Sequence, residues 1–321
     1  MTMKIIEVKE FGDPEVMQLV DKSVSLPGAG EVLVQVKAIG VNPVETYIRA
    51  GTYPKLPELP YTPGGNVAGI IKAFGPEVTE WHHGDRVYSA ATISGGYGEM
   101  ALCATTQIFR LPENLSFAQG AAIGVPAATA WRALFIRGKG KAGARLLIHG
   151  ASGSVGQAAV QLAKDAGMIV FGTAGSDQGC SLIEELGARA FNHNEKGYEK
   201  GLLGATSGEG FDLILEMLAN KNLEKDLILL APRGAVVIIG SRGRVDIDPR
   251  LTMGKETEIR GLAVFNATPE EVIQTHSALE SAMERGVLIP AISREMALVD
   301  APLAHQLVMN DGKCGKIILI P

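Results

Sequence analysis

Cysteine is scarce in this chain. Cys103, Cys180 and Cys314 are the only three in 321 residues, and they lie far apart with no C-x-x-C pair. The usual disulfide and zinc frameworks are excluded, and the odd count suits a reducing compartment. Long apolar runs are missing too. None approaches the roughly 18 residues needed to span a membrane. The start, Met1-Thr2-Met3-Lys4-Ile5-Ile6-Glu7, meets an acid before any signal-like apolar core develops. A soluble cytoplasmic protein with no membrane partner is expected. Neither charge sign dominates: 30 basic residues face 35 acidic ones, for a formal net charge of −5. The signs are interleaved, so no basic stripe indicates nucleic acid and no acidic tail indicates a basic partner.

Glycine, by contrast, is plentiful, with 39 residues at turn-like positions. That pattern suggests many short strands and tight connections. The length favours two domains of roughly 100–200 residues each. In the first third, Val32, Val34, Val36 and Ala38 alternate at period two, the pattern of a half-buried strand over 31–40. Pro43, Gly51, Pro54, Pro57, Pro60, Pro63, Gly64 and Gly65 then punctuate the chain, and a compact, barrel-like β domain is expected. Near Ser116 the texture changes. Ser116-Phe117-Ala118-Gln119 is a capping box, and alanine-rich helical sequence follows to Leu134. From Arg145, apolar strands alternate with helices: 146–148, 169–171, 213–215, 236–239 and a further candidate over 258–264. Such runs imply a doubly wound parallel sheet covered on both faces, an α/β Rossmann architecture. A helix over 270–285 and a strand over 316–319 close the chain.

The strongest local signal is Gly150-Ala151-Ser152-Gly153-Ser154-Val155-Gly156, between a strand and a helix. Its glycines recur at i, i+3 and i+6. They permit a tight turn, with backbone N–H groups at a helix N-terminus facing a pyrophosphate. Rival motifs fail. There is no G-x-x-x-x-G-K-[ST], and Ser154 stands where a G-x-S-x-G nucleophile elbow requires glycine. Dinucleotide sites that prefer NAD place an acid about 20 residues beyond the first glycine. Here Gly172-Thr173-Ala174-Gly175-Ser176 holds none before Asp177. Two unit charges ~4 Å apart interact by about 4 kcal/mol at an effective dielectric near 20. Losing that carboxylate therefore admits a 2′-phosphate and favours NADPH.

With these residues in view, the chain resembles quinone oxidoreductases of the zeta-crystallin type, zinc-free members of the medium-chain dehydrogenase/reductase superfamily. The resembling stretches are Gly40-Val41-Asn42-Pro43-Val44-Glu45-Thr46-Tyr47-Ile48-Arg49, Leu59-Pro60-Tyr61-Thr62-Pro63-Gly64, Phe191-Asn192-His193, Glu216-Met217-Leu218-Ala219-Asn220 and Gly240-Ser241-Arg242-Gly243. The resemblance implies a GroES-like catalytic domain over 1–122 and 266–321, a Rossmann domain over 123–265, and an active site in the cleft. Zinc-dependent relatives carry a cysteine and a Gly-His-Glu segment where this chain has Asn42 and Gly64-Gly65-Asn66. No metal site is therefore expected, and His82-His83 reads as an exposed turn. Lacking a Lewis acid, the site suits quinones or conjugated enones, which delocalise the incoming negative charge themselves.

The resemblance also implies roles. Asn42, Tyr47 and Tyr53 border the substrate and nicotinamide, with Asn42 polarising an oxygen and a tyrosine donating a proton. The structural alternative is a turn asparagine and packed, tethered tyrosines. Thr129 packs near the nicotinamide, or simply bonds back to its own helix. Ser152, Gly153, Ser154 and Val155 take the pyrophosphate, while Gly175 and His193 take the adenosine end. Asn222, Ile239, Gly240, Ser241, Arg242, Leu262, Ala263 and Val264 follow the nicotinamide half, and Lys316 reaches the cofactor. A homodimer or homotetramer is expected, with 262–265 as an edge strand pairing between subunits. The alternatives are NADPH-dependent reduction of enal or enone C=C bonds, or a non-enzymatic NADPH-binding protein.

Overall fold

The structure is a computed structural model that describes residues 2–310 and 314–321. In chain order it forms β1 (Thr2–Val8), β2 (Met17–Ser23), β3 (Glu31–Gly40), α1 (Pro43–Arg49), β4 (Asn66–Phe74), β5 (Arg86–Ser89), β6 (Met100–Ala104) and β7 (Ile108–Arg110). Then come α2 (Phe117–Trp131), β8 (Arg145–Ile148), α3 (Ser154–Asp165), β9 (Ile169–Ala174), α4 (Asp177–Glu185), β10 (Arg189–Asn192), α5 (Tyr198–Ala205) and β11 (Phe211–Glu216). The chain continues through α6 (Ala219–Leu229), β12 (Leu230–Ile238), α7 (Arg250–Met253), β13 (Glu258–Gly261), α8 (Pro269–Glu284), β14 (Ile292–Ala297), α9 (Ala301–Leu307) and β15 (Lys316–Ile320). Two compact units result. The chain passes from the first to the second between Val125 and Pro126, and returns after Leu288.

The first unit is β-rich. Its main sheet runs β14-β15-β3-β4-β5-β7, with β6 also paired to β3. The 31–40 segment is a strand whose expected face is buried at Val32, Val34, Val36 and Ala38. On the other face Gln35 is half-buried and Lys37 exposed, while Leu33 and Ile39 toward the ends are buried as well. The strand lies inside the sheet: β4 bonds one edge, while β6 and β15 share the other. Its core gathers Ile6, Val34, Ile39, Val67, Tyr97 and Leu319.

The second unit holds a parallel sheet in the order β10-β9-β8-β11-β12-β13. Successive strands step outward from β8 on one side and from β11 on the other, so the direction of winding reverses between these two neighbours. Such an arrangement leaves a crevice at the carboxyl ends of the strands. Apolar strands fill the middle, and Phe171 meets Phe211 edge-on at 5.3 Å between ring centroids.

Local signals explain several boundaries. The capping box before α2 forms: Gln119 N–H donates to Ser116 Oγ at 3.2 Å, and Ser116 N–H to Gln119 Oε1 at 2.9 Å. α2 ends at Trp131 and widens into a π-helical turn over Arg132–Arg137. Gly167, at φ +76°, follows the end of α3. The resemblance implies 266–321 in the first unit; by packing, α8 clusters with the second. Residues 262–265 are not a strand: β13 stops at Gly261, and Val264–Asn266 turns as a 3-10 helix. The cause is a long-range contact: Arg132 Nη1 donates to the carbonyls of Ala263 and Val264 at 3.0 and 3.1 Å, where a strand would pair them with a neighbour.

Candidate active site

In the second unit the glycine turn lies between β8 and α3. Gly150 sits at φ +59°, in the left-handed region that glycine adopts without penalty. Gly156 is needed for space: a Cβ there would stand 2.5 Å from both Ala151 Cα and Gly150 O. No side chain caps α3, and the first helical bond runs from Gln157 N–H to Gly153 O at 2.9 Å. The N–H groups of Ser154, Val155 and Gly156 precede that bond, so they are the orphan donors of a helix N-terminus, suited to an anion.

The other expected cofactor residues collect along the carboxyl ends of the same strands. Gly175 and His193 follow β9 and β10 and meet: a Cβ on Gly175 would lie 2.9 Å from His193 Nε2, and Asn194 Nδ2 holds the Gly175 carbonyl at 2.8 Å. Beyond β11, Asn222 Nδ2 donates to Glu216 Oε1 at 3.3 Å. After β12, the N–H groups of Ile239 and Gly240 reach Glu216 O at 2.8 and 3.3 Å, and Arg242 N–H donates to Asn220 Oδ1 at 2.9 Å. Ser241 Oγ turns to Gly243 O at 3.0 Å. Leu262 N–H bonds Ile238 O at 3.0 Å and brings Ala263 and Val264 beside the end of β12. Ser152 is buried within the turn and Thr129 is buried in α2.

In the first unit, the end of β3 carries a buried polar chain. Asn42 Oδ1 accepts a short hydrogen bond from Lys316 Nζ. Asn42 Nδ2 donates to Glu45 Oε1 at 3.0 Å and to Gly40 O at 3.3 Å, and its backbone N–H donates to Glu45 Oε2 at 3.0 Å. Tyr97 OH donates to Glu45 Oε2 at 2.7 Å and lies 3.1 Å from His305 Nε2. Both N–H groups of the Asn42 side-chain amide are thus engaged within the protein, and its oxygen accepts from Lys316. Burial pushes the Glu45 carboxyl up, against the pull of Asn42, Tyr97 and Lys316. Burial likewise draws His305 down to about 3, with Arg49 adding to it, so that ring is neutral. Tyr47, in α1, and Tyr53, in the following loop, are half-buried. Position 65, where zinc-dependent relatives carry histidine, has no room: a Cβ would lie 2.9 Å from Ala90 O. The next residue, Asn66, accepts from Val125 N–H through Oδ1 at 3.2 Å.

Comparison with known proteins then decides the family. The rat quinone oxidoreductase is 48% identical over 321 residues, spanning 99% of this chain and 98% of that protein. This chain is a zeta-crystallin-type quinone oxidoreductase by family. The human quinone oxidoreductase is 47% identical with the same coverage. Family models for the alcohol dehydrogenase GroES-like domain and for zinc-binding dehydrogenase match residues 28–120 and 154–281. An Escherichia coli quinone oxidoreductase, solved in complex with NADPH, superposes with a TM-score of 0.89 at 30% identity and full coverage of both chains. The medium-chain dehydrogenase/reductase architecture expected from the resemblance is therefore present.

Sequence reasoning missed Glu45, Tyr97 and His305 as site residues. Only Glu45 left a trace, as the third residue of a helix capped by Asn42. It also missed a buried group in the second unit, His149, Glu216 and Asp226, whose donor atoms lie within 4.8 Å of one another. No motif spacing links those three.

Proposed function

We propose that this protein is an NADPH:quinone oxidoreductase that works without zinc. The observation that carries the reading is the 47–48% identity, over 99% of the chain, to proteins that are quinone oxidoreductases. The residues at the position of a catalytic zinc do not suit the ion: residue 65 cannot carry a side chain without moving backbone, and the Asn42 amide is committed to Lys316, Glu45 and Gly40. Zinc needs three N, S or O ligands around an open position.

NADPH, when bound, supplies the hydride, and the quinone with one further proton becomes a hydroquinone. The chain's own residues bind and orient. Ser152, Gly153, Ser154 and Val155 hold the pyrophosphate, Gly175 and His193 the adenosine end, and Asn222, Ile239–Arg242 and Leu262–Val264 the nicotinamide half. Asn42 holds Lys316, whose ammonium draws negative charge, and Glu45 fixes the amide that does so. Tyr47 and Tyr53 line the quinone, and the Tyr53 hydroxyl is the proton donor of this reading. The assembly is a homodimer or homotetramer, for which sedimentation at micromolar concentration is the check.

The experiment is a comparison of NADPH oxidation with 1,2- and 1,4-quinones against small enones, for wild type and Tyr53→Phe. Quinone turnover that falls in Tyr53→Phe supports the reading. Turnover with enones alone refutes the quinone assignment, and an unchanged Tyr53→Phe rate removes the tyrosine from proton transfer.

A further inference from the structure

Three ionisable side chains lie in the core of the second unit where the proposed chemistry does not use them. His149 follows β8, Glu216 ends β11 and Asp226 lies in α6. Glu216 and Asp226 are fully buried, and His149 is 5% exposed. Burying such groups carries a desolvation cost that apolar side chains of similar volume would avoid, so their presence calls for a role.

Their place in the fold suggests one. β8 and β11 are the two neighbours between which the winding of the sheet reverses, and the cluster sits where both strands end. His149 Nε2 lies 2.8 Å from Asp226 Oδ1 and 3.6 Å from Glu216 Oε2. On its other side, His149 Nδ1 lies 3.2 Å from Thr173 Oγ1, which accepts from the N–H of Gly150 at 3.3 Å. Gly150 opens the glycine turn. Glu216 Oε1 accepts from the N–H of Leu218 and from Asn222 Nδ2. One cluster thus touches both loops that flank the crevice. Glu216 Oε2 and Asp226 Oδ2 are buried and receive no hydrogen bond. A proton on one of the two carboxyls supplies the missing donor.

We propose that His149, Glu216 and Asp226 are positioning residues of the dinucleotide site, sharing one exchangeable proton that sets the glycine turn and the Leu218–Asn222 turn for NADPH. With the imidazole and one carboxyl protonated, the cluster is neutral. Losing the carboxyl proton leaves a net negative charge behind a turn that must accept a pyrophosphate. Burial pushes the Glu216 carboxyl up to about 7, with the imidazole opposing and Asp226 adding to the rise. Burial pulls His149 down, but the charge and hydrogen bond of Asp226, helped by Glu216, outweigh it and raise the imidazole. Among the described residues, Lys225 on α6 opposes that rise and Tyr198 on α5 feels Asp226. The shared proton is therefore lost as pH rises through neutrality, and NADPH affinity falls with it.

The inference rests on NADPH as the dinucleotide, so wild-type binding is measured first, by nicotinamide fluorescence. Failure there removes the cofactor reading itself. The decisive quantity is the ratio of wild-type to Glu216→Gln dissociation constants at each pH. This ratio cancels the titration of the 2′-phosphate near pH 6. Gln mimics the protonated carboxyl at every pH, so the ratio should grow by about fivefold or more from about pH 6 to about pH 9. A purely structural role would shift both curves by one constant factor. Should Glu216→Gln fail to fold, the triple variant His149→Gln/Glu216→Gln/Asp226→Asn keeps amide hydrogen bonds, carries no ionisable group in the cluster and makes the same test, with a flattened pH profile expected. A ratio constant across the pH range overturns the proposal. So does one divalent ion per chain in purified wild type that Glu216→Gln loses.

Discussion

Replacing Gly156 with alanine drives a methyl group into backbone. The new Cβ would stand 2.5 Å from Ala151 Cα and from Gly150 O, neither of which can swing aside as a side chain does. Restoring ordinary contact at about 3.4 Å requires the start of α3 to retreat by roughly 0.9 Å from the turn. Overpacking of this kind costs about 1–3 kcal/mol, against a helix-propensity gain from alanine of at most ~1 kcal/mol. The net loss is about 1–2 kcal/mol, which lowers the melting temperature by a few degrees. The same retreat takes the N–H groups of Ser154 and Val155 from the pyrophosphate. Losing one charge-assisted hydrogen bond, about 1.5–3 kcal/mol, weakens NADPH binding by about tenfold or more. Gly153→Ala separates the two effects. Its Cβ would meet only Gly150 O, at 3.4 Å, and its φ of −78° suits any residue. Stability should therefore hold while the methyl blocks the close approach of the dinucleotide. Thermal melting without ligand and fluorescence titration with NADPH read the two effects. If Gly153→Ala binds NADPH as wild type does, the dinucleotide does not lie on this turn. If Gly156→Ala melts and binds unchanged, the packing argument fails.

Other outcomes follow from the buried groups. Burial draws His276 and His305 down to about 3, so both stay neutral in the fold while the unfolded chain takes up protons below about 6.5. Stability is then full above the unfolded value and falls as pH drops toward 3. At pH 5 the loss is about 2 kcal/mol per histidine, and urea melts at pH 7 and pH 5 should show it reduced by about half in His305→Gln. A Glu45→Gln side chain turns an NH₂ toward a site where Asn42 and Tyr97 already donate. One unmatched buried donor costs about 1–3 kcal/mol, and quinone reduction should slow at unchanged NADPH affinity; equal kcat and melting temperature would refute the positioning role. Burial pushes the Cys103 thiol up to about 12. It should resist a colorimetric thiol reagent in native protein at pH 8 and react only after denaturation.

The glycine turn was legible because it is local. A strand, the turn and a helix start occupy one short stretch, and the backbone N–H groups at the start of α3 need no distant partner to be presented. The parallel sheet was legible for a similar reason, since strands covered on both faces are apolar without interruption. Strand 31–40 shows the limit. Its alternation pointed to one buried face, which is buried, but not to the burial of Leu33 and Ile39 on the other face, which depends on distant segments. The 262–265 segment shows another: apolar residues suited a strand, yet Arg132, 131 positions away from Ala263, took its carbonyls.

By itself, the order of residues determined the α/β fold class with its β-rich companion unit, the strand–glycine turn–helix stretch and the lack of an acid between Gly172 and Asp177. Each is a matter of composition or short spacing, which chain geometry converts directly into structure. Only tertiary structure decided which buried polar groups meet. Asn42 reaches Lys316 across 274 positions, Tyr97 reaches His305 across 208, and His149 reaches Asp226 across 77. Such pairs form because folding removes water and leaves each polar group the partners its neighbours happen to present, and no local pattern along the chain encodes that choice.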